Sequence, residues 1–341
     1  MEARAKAQLV AALAVAALLG LLVPARDAPA STAGKKRVGL VFDVGGRGDK
    51  SFNDAAYAGM LLASKDHGVS FELLEPSGAE DREAAMRLLA AKRVDLIIGV
   101  GHIFSRDMSE VAREFPNVSF SCVDFSPDGP LPPNLAGLGF REQEGAFLVG
   151  AAAALTSKRQ QVGFVGGMSI SLIRKFEAGY RAGVREVCPT CEIHVAYAGT
   201  TPDAFRDPAK GKALAASQIA SGADVLFHAA GATGHGVFEA AREGAALAIG
   251  VDRDQYDEMP DVVLTSLVKR VDTAVATIVG RMTKGAFPGG SMEVLGLAEH
   301  GVSWVHEGPH ARHLSAETVR RVEEIRERIE RGEIVVPTVP P

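Results

Sequence analysis

Residues 37–53 read RVGLVFDVGGRGDKSFN, and three features of this stretch together predict the fold class. Its first seven residues form a nearly continuous apolar run ending in Asp43, as in a strand buried on both faces of a parallel sheet. A glycine-rich segment follows, and a helical pattern begins at Phe52. A strand, a turn and a helix in this order are typical of α/β proteins.

The same alternation of short apolar runs and helical patterns continues along most of the chain. A proline-rich break at 127–133 divides it into two runs. Two runs of βα units separated by such a break imply two doubly wound parallel-sheet lobes. We predict strands at 37–43, 70–74, 95–100, 118–124, 161–166, 192–197, 224–228, 247–251 and 262–267, and a last amphipathic helix at 315–331.

Composition and charge are consistent with this organisation and exclude several classes of protein. The chain has 341 residues, which is too many for one ordinary core and suits two domains. Its formal net charge of −5 argues against a partner nucleic acid, because no excess of cations would neutralise phosphates. Three cysteines are too few for a disulfide scaffold or a Cys₄ zinc site.

The first 30 residues have the order of a secretory signal peptide. Basic residues within 1–6 precede an uncharged apolar run at 7–23, and Ala28-Pro29-Ala30 offers a cleavage site. We therefore expect an exported, periplasmic or extracytoplasmic protein that starts near Ser31. The alternative is an uncleaved segment that keeps the protein membrane-associated. No cysteine near this segment could accept a lipid.

Export also changes the interpretation of the cysteines. Cys188 and Cys191 form a Cys-Pro-Thr-Cys motif, which could indicate redox or metal chemistry in a reducing compartment. In an oxidising compartment we predict a local disulfide between them. Cys122 lies in an apolar run, so we predict a buried thiol there.

Polar and small residues follow the predicted strands at their carboxyl ends. Asp43, Asp124 and Asp252 each stand at the end of a strand, and glycine-containing turns follow three others, at 99–101, 166–167 and 229–231. Ligands of open α/β sheets bind outside these ends, although a single Asp there is often only a helix cap. The two lobes are therefore predicted to enclose one ligand cleft.

The sequence does not satisfy the motifs of several enzyme classes or of metal sites. Residues 45–51 resemble a phosphate-binding loop, but Asp49 precedes the lysine and its carboxylate would repel a phosphate. No Gly-x-Ser-x-Gly elbow occurs. Gly308 and Pro309 interrupt the histidines at 306, 310 and 313, so we expect a solvated loop there. We predict neither catalysis nor a metal or other cofactor.

The motif at 43–53 resembles the basic membrane protein family, the purine-nucleoside receptors of ABC importers. Further stretches match in order at 124–125, 141–147, 162–168, 176–180, 207–211, 230–234, 250–255 and 265–272, and the resemblance covers roughly 36–338. It implies a type I periplasmic-binding fold whose lobes are joined by a three-segment hinge. By that pattern lobe 1 would hold 36–140 and 267–292, and lobe 2 would hold 141–266 and 293–341.

The resemblance also implies a ligand site. Phe52 matches the family's base-stacking position, although it could be a core residue of its helix. The other predicted site residues would bind the edge of the base, bind the sugar or stack on the opposite face of the base. The full predicted set is Asp43, Phe52, Asn53, His102, Asp124, Phe205, Gly231, Asp252 and Lys269. Asn53 could instead form hydrogen bonds with backbone groups at the N-terminus of its helix. Lys269 could instead form a salt bridge between the lobes. Phe227 competes with Phe205 for the second face of the base.

Together these expectations describe a monomeric receptor that closes on a small molecule and then docks on a membrane permease. A first alternative keeps the fold and changes the ligand to a sugar, an autoinducer or another polar metabolite, because His102 could bond such a ligand. A second is a sensory receptor without transport. A third is an exported hydrolase that cuts N-glycosidic bonds with Asp43 or Asp252.

Overall fold

The computed structural model describes residues 34–77 and 79–341, so the predicted signal peptide lies outside the described residues. The first lobe contains a six-stranded sheet in the order β11-β5-β4-β3-β1-β2, with all neighbours parallel. Its strands are β1 (Arg37–Val41), β2 (Ser70–Leu74), β3 (Leu96–Val100), β4 (Ser119–Val123), β5 (Leu135–Phe140) and β11 (Met292–Leu295).

The second lobe repeats this plan in the order β12-β10-β9-β8-β6-β7. Its neighbours are parallel except for the short edge strand β12, which runs antiparallel to β10. Its strands are β6 (Gln161–Met168), β7 (Glu192–Gly199), β8 (Val225–Ala229), β9 (Leu247–Gly250), β10 (Val263–Lys269) and β12 (Val302–Trp304). The prediction of two parallel-sheet lobes is confirmed.

Helices cover both sheets. They are α1 (Phe52–His67), α2 (Ala79–Ala91), α3 (Ser105–Glu114), α4 (Glu142–Thr156), α5 (Ser171–Val187), α6 (Pro208–Ala220), α7 (Gly234–Glu243), α8 (Val271–Thr283) and α9 (Ala316–Glu330). Every residue of the central strands β3 and β8 is buried, as expected for strands with helices on both faces. None of the helices in the described residues is both long and apolar enough to span a bilayer.

Three strands were not predicted from the sequence. β5 follows the proline-rich break and contains two glycines, so its apolar pattern is weak. β11 and β12 have four and three residues, too few for a recognisable alternation. Two of these strands, β5 and β11, complete the first sheet.

The chain passes between the lobes after β5, after β10 and after β11. The sequence limits at 266/267 and 292/293 fall inside β10 and β11. β10 belongs wholly to the second sheet and β11 wholly to the first, so these two crossovers lie about three residues later than the resemblance implied.

The cysteine predictions are confirmed. Cys188 and Cys191 form a disulfide that closes a short turn between α5 and β7. Cys122 is a free, fully buried thiol in β4.

Candidate functional site

All nine residues predicted from the sequence line one cavity between the lobes. Its empty volume is about 620 Å³, counting space open to solvent. The first lobe contributes Asp43, Phe52, Asn53, His102 and Asp124, and the second contributes Phe205, Gly231, Asp252 and Lys269. The cavity lies at the carboxyl ends of both sheets, as the polar strand ends indicate.

Asp49 organises the loop before α1, a role that the sequence analysis missed. Its carboxylate accepts hydrogen bonds from the backbone N–H groups of Ser51 at 2.9 Å, Asn53 at 2.8 Å and Asp54 at 3.1 Å. It therefore satisfies donors at the N-terminus of α1, where an anion is favourable. Burial raises its pKa, and the three backbone bonds act in the opposite direction.

The side chain of Asn53 is held by one hydrogen-bond donor and one hydrogen-bond acceptor. Its Oδ1 accepts a hydrogen bond from the backbone N–H of Asp43 at 3.1 Å, and its Nδ2 donates to Asp49 at 3.1 Å. Asn53 is only 2% exposed, yet it lines the cavity. Asn53 thus forms hydrogen bonds near the N-terminus of α1 and also faces the ligand cavity.

Asp43 follows β1 and presents its carboxylate to the cavity. Oδ1 accepts a hydrogen bond from the Val44 backbone N–H at 2.6 Å. Oδ2 packs against Gly101, where φ is +113° and a β-carbon would collide with the carboxylate. Burial raises the pKa of Asp43 to about 7, although the Val44 hydrogen bond and nearby Arg82 lower it.

Lys269 ends β10 and is almost completely buried between the lobes. Its Nζ lies 2.6 Å from Oδ1 and 2.7 Å from Oδ2 of Asp124, and 3.2 Å from Oε1 of Glu142. Burial lowers the pKa of Lys269, but the carboxylates of Asp124, Glu142 and Asp252 raise it by more, so it stays protonated. Lys269 therefore forms the interlobe salt bridge that was the alternative to ligand binding, and this salt bridge is part of the cavity wall.

Aromatic rings surround the same ammonium group. Nζ of Lys269 lies 4.9 Å from the ring centroid of Phe140, 5.1 Å from that of Phe52 and 5.9 Å from that of Phe176. Phe176 also lines the cavity but was not predicted as a site residue. It lies in the first turns of α5, where an apolar residue ordinarily indicates core packing.

Asp124 and Asp252 share an uncommon backbone conformation. Each follows a strand, β4 or β9, and each has φ in the left-handed region, at +59° and +66°. Such strain is concentrated at functional sites and persists because the surroundings hold it. The Ser51 hydroxyl donates to Oδ2 of Asp252 from the opposite lobe. Burial raises the pKa of Asp252 to about 6, with Lys269 and the Ser51 bond lowering it.

The second lobe offers one aromatic face to the cleft. Phe205 is half-buried, lines the cavity and packs on Gly167, where a β-carbon would collide with its ring. Phe227 is fully buried, and its ring centroid lies 5.6 Å from that of Phe164. Phe227 is therefore a core residue, and Phe205 is the aromatic candidate from this lobe. Gly231, with φ of +54°, comes close to the Phe205 backbone.

His102 begins the turn after β3 and lines the cavity. Burial lowers its pKa, and the positive charges of Lys269 and Arg82 lower it further, so the ring is neutral at pH 7. The histidines at 306, 310 and 313 lie elsewhere. His310 stacks on Tyr256 with ring centroids 4.3 Å apart.

Several contacts cross the mouth of the cleft. Lys50 O accepts a hydrogen bond from Gln255 Nε2 at 3.0 Å, and Asp54 Oδ2 lies 3.9 Å from Arg253 Nη1. Together with the Ser51–Asp252 bond, they join the loop before α1 and the first turn of α1 to the turn after β9. The lobes are thus in a closed arrangement.

Comparisons with known proteins agree with this geometry. The protein is 36% identical over 324 residues to a CD4+ T-cell-stimulating antigen of Listeria monocytogenes, covering 89% of this chain and 88% of that protein. It is 32% identical to the ABC transporter nucleoside-binding protein BmpA of Lactococcus lactis, covering 87% of this chain and 91% of that protein.

A solved structure and a family model give the same result. An ABC transporter solute-binding protein from Aeropyrum pernix superimposes with a TM-score of 0.80 at 30% identity, covering 89% of this chain and 94% of that one. The family model for PnrA-like ABC transporter substrate-binding proteins, Bmp, matches residues 36–339. The resemblance inferred from the sequence motifs is confirmed, and the chain belongs to the Bmp family of ABC transporter substrate-binding proteins.

Proposed function

We propose that this protein is the exported, monomeric binding component of an ABC importer and that it binds a purine nucleoside or nucleobase between its lobes without catalysis. The observation that carries the proposal is that two phenylalanines, several Asp and Asn side chains and a buried lysine line one cavity. The name of the Lactococcus relative, a nucleoside-binding protein, supports the ligand class.

Aromatic stacking would hold the base. Phe52 comes from the first lobe and Phe205 from the second, and both line the cavity. Stacking a base on an aromatic ring contributes about 1–3 kcal/mol. Because the two rings belong to different lobes, a base between them favours closure.

Asp252 and Lys269 would hold the sugar. Ser51 occupies Oδ2 of Asp252, which leaves Oδ1 to accept from a ribose hydroxyl unless the ligand displaces Ser51. The charged Lys269 would donate to the same diol and compensate the buried carboxylate. Gly231 would allow the backbone to approach the ligand.

Closure would prepare the protein for transport. A ligand that contacts both lobes binds the closed form better and shifts the population towards it. The contacts at the cleft mouth between Lys50 and Gln255 stabilise that form without the ligand taking part. The closed form would then dock on the membrane permease.

Isothermal titration calorimetry against nucleosides, nucleobases and ribose tests the proposal. We expect purine nucleosides to bind well below millimolar concentration and to be recovered intact after incubation. Absence of such binding, or displacement by ribose alone, would contradict the ligand class. Release of free base and ribose from guanosine would instead establish a hydrolase.

A further inference from the structure

We propose that His228, a fully buried histidine outside the ligand cavity, is a positioning residue that fixes the amide of Gln255 for closure of the lobes. The inference rests on the proposed function and deepens it, because closure on a ligand is the event that this amide would stabilise. It depends on the hydrogen-bond partners of the two side chains, all of which are protein groups.

The amide of Gln255 can have only one orientation. The backbone N–H of Val251 lies 2.8 Å from one of its two polar atoms, and an N–H group needs an acceptor, so that atom must be Oε1. The other atom is therefore Nε2. It donates across the cleft mouth to the carbonyl oxygen of Lys50 in the first lobe, at 3.0 Å.

This orientation determines the protonation state of His228. Its Nε2 lies 3.1 Å from the same Oε1 of Gln255. Since Oε1 can only accept, Nε2 must carry a hydrogen and donate it. Burial lowers the pKa of His228 to about 3, so the ring is neutral at pH 7 and its other nitrogen, Nδ1, carries no hydrogen. His228 is thus a donor in a single neutral tautomer.

Close packing holds the imidazole in place. A β-carbon at Gly234 would collide with the ring, and Phe238 meets the ring edge to face with the centroids 5.1 Å apart. Nδ1 is buried and has no hydrogen-bond partner within the described residues. A buried acceptor without a partner is unfavourable for folding. In the otherwise apolar strand β8, the imidazole is therefore explained by its bond to Gln255 and not by core stability.

The second lobe alone fixes the amide. Val251 and His228 occupy both acceptor positions of Oε1, and the backbone N–H of Gln255 donates to Ser266 Oγ at 3.0 Å. Nε2 is therefore directed at the first lobe before closure, and little side-chain freedom is lost when it meets Lys50. Because neither His228 nor Gln255 lines the cavity, this contact stabilises the closed form equally for every ligand.

The substitution His228→Phe removes the donor and keeps an aromatic ring in the core. We expect the guanosine and adenosine affinities, measured by calorimetry, to fall by the same factor of about three to ten. The free energy of unfolding in denaturant should not fall, because the substitution also removes the unpartnered Nδ1. A role in folding alone would give the opposite result, with lower stability and unchanged affinity.

Another histidine–glutamine pair of the same lobe provides a matched control. His194 on β7 is half-buried, its Nε2 lies 3.1 Å from Gln161 Oε1, and neither residue lines the cavity. His194→Phe should leave both affinities unchanged. Unchanged affinities in His228→Phe, unequal losses for the two nucleosides, or an equal loss in His194→Phe would each overturn the role of His228.

The tautomer of His228 is tested without a ligand. Long-range proton–nitrogen correlation spectra of the protein labelled at histidine should show a neutral His228 ring protonated at Nε2 at pH 7. A ring protonated at Nδ1, or a charged ring, would overturn the proposal. This measurement decides the question if His228→Phe fails to fold or if no nucleoside binds to the wild-type protein. The latter result would refute the proposed function itself.

Discussion

Nζ of Lys269 in the second lobe donates a hydrogen bond to Oδ2 of Asp124 in the first at 2.7 Å, and it lies 2.6 Å from Oδ1 of the same carboxylate. Both side chains are at least 96% buried. The pair therefore joins the lobes inside the proposed ligand site, and its charges act on folding, closure and binding together.

Removal of the Lys269 charge should destabilise the protein strongly. Lys269→Met leaves Asp124 buried without its cation and leaves Glu142 with Lys175 alone. Removal of one partner of a buried ion pair typically costs about 3–5 kcal/mol of unfolding free energy. Denaturant unfolding monitored by circular dichroism measures the change. Lys284→Met, at an exposed position, is the matched control and should be nearly neutral. A loss as small as that of the control would contradict a stabilising ion pair.

Loss of the Phe52 ring should weaken nucleoside binding with little effect on folding. Phe52→Ala removes a half-buried stacking surface and should cost about 1–3 kcal/mol of binding free energy in calorimetry. Phe71→Ala removes another half-buried ring, on the edge strand β2 and outside the cavity. It should leave affinity unchanged. Equal affinity losses in both variants would argue against a base platform at Phe52.

Asp252 should distinguish nucleosides from free bases. Asp252→Ala removes the proposed diol acceptor, so guanosine should lose more affinity than guanine, by about 1–3 kcal/mol. Parallel calorimetric titrations of both ligands measure the difference. The same loss for guanine and guanosine would refute a role in sugar recognition.

Asp43 is predicted to bind the edge of the base, and burial raises its pKa to about 7, so the relative affinity for guanosine and adenosine should depend on pH. Below this pH the protonated carboxyl can donate to adenine N1, and above it the carboxylate accepts from guanine N1–H. The ratio of guanosine to adenosine affinity should therefore rise between pH 6 and pH 8. The Val44 N–H, Arg82, Asp49 and Asp124 are the groups that act on this carboxyl.

The effects of other titrating groups largely cancel in the ratio of guanosine to adenosine affinity. Asp252, with a pKa of about 6, is proposed to meet the sugar that both nucleosides share. Burial lowers the pKa of His102, and the positive charges of Lys269 and Arg82 act in the same direction. Calorimetry at several pH values, repeated with Asp43→Asn, provides the test. A ratio that still varies with pH in the variant would assign the dependence to another group.

Much of the fold could be predicted because the central strands are continuous apolar runs, as in β3 and β8. The edge strands β11 and β12 could not be predicted, because such short strands form by pairing with a neighbouring strand and carry no recognisable sequence pattern of their own. In the site, strand-end aspartates and motif matches identified residues that the structure brings together. Glu142 and Phe176 were missed because helical positions carry no signal of what they face across a cleft.

The repeated strand order of the two sheets has a further consequence. Asp124 after β4 and Asp252 after β9 occupy equivalent places in the two lobes, as do Gly101 after β3 and Gly231 after β8. Under the proposed function, the ligand would be enclosed by two versions of one structural template. A substitution in one lobe would then change that lobe's contacts with the ligand, while the equivalent positions of the other lobe keep theirs.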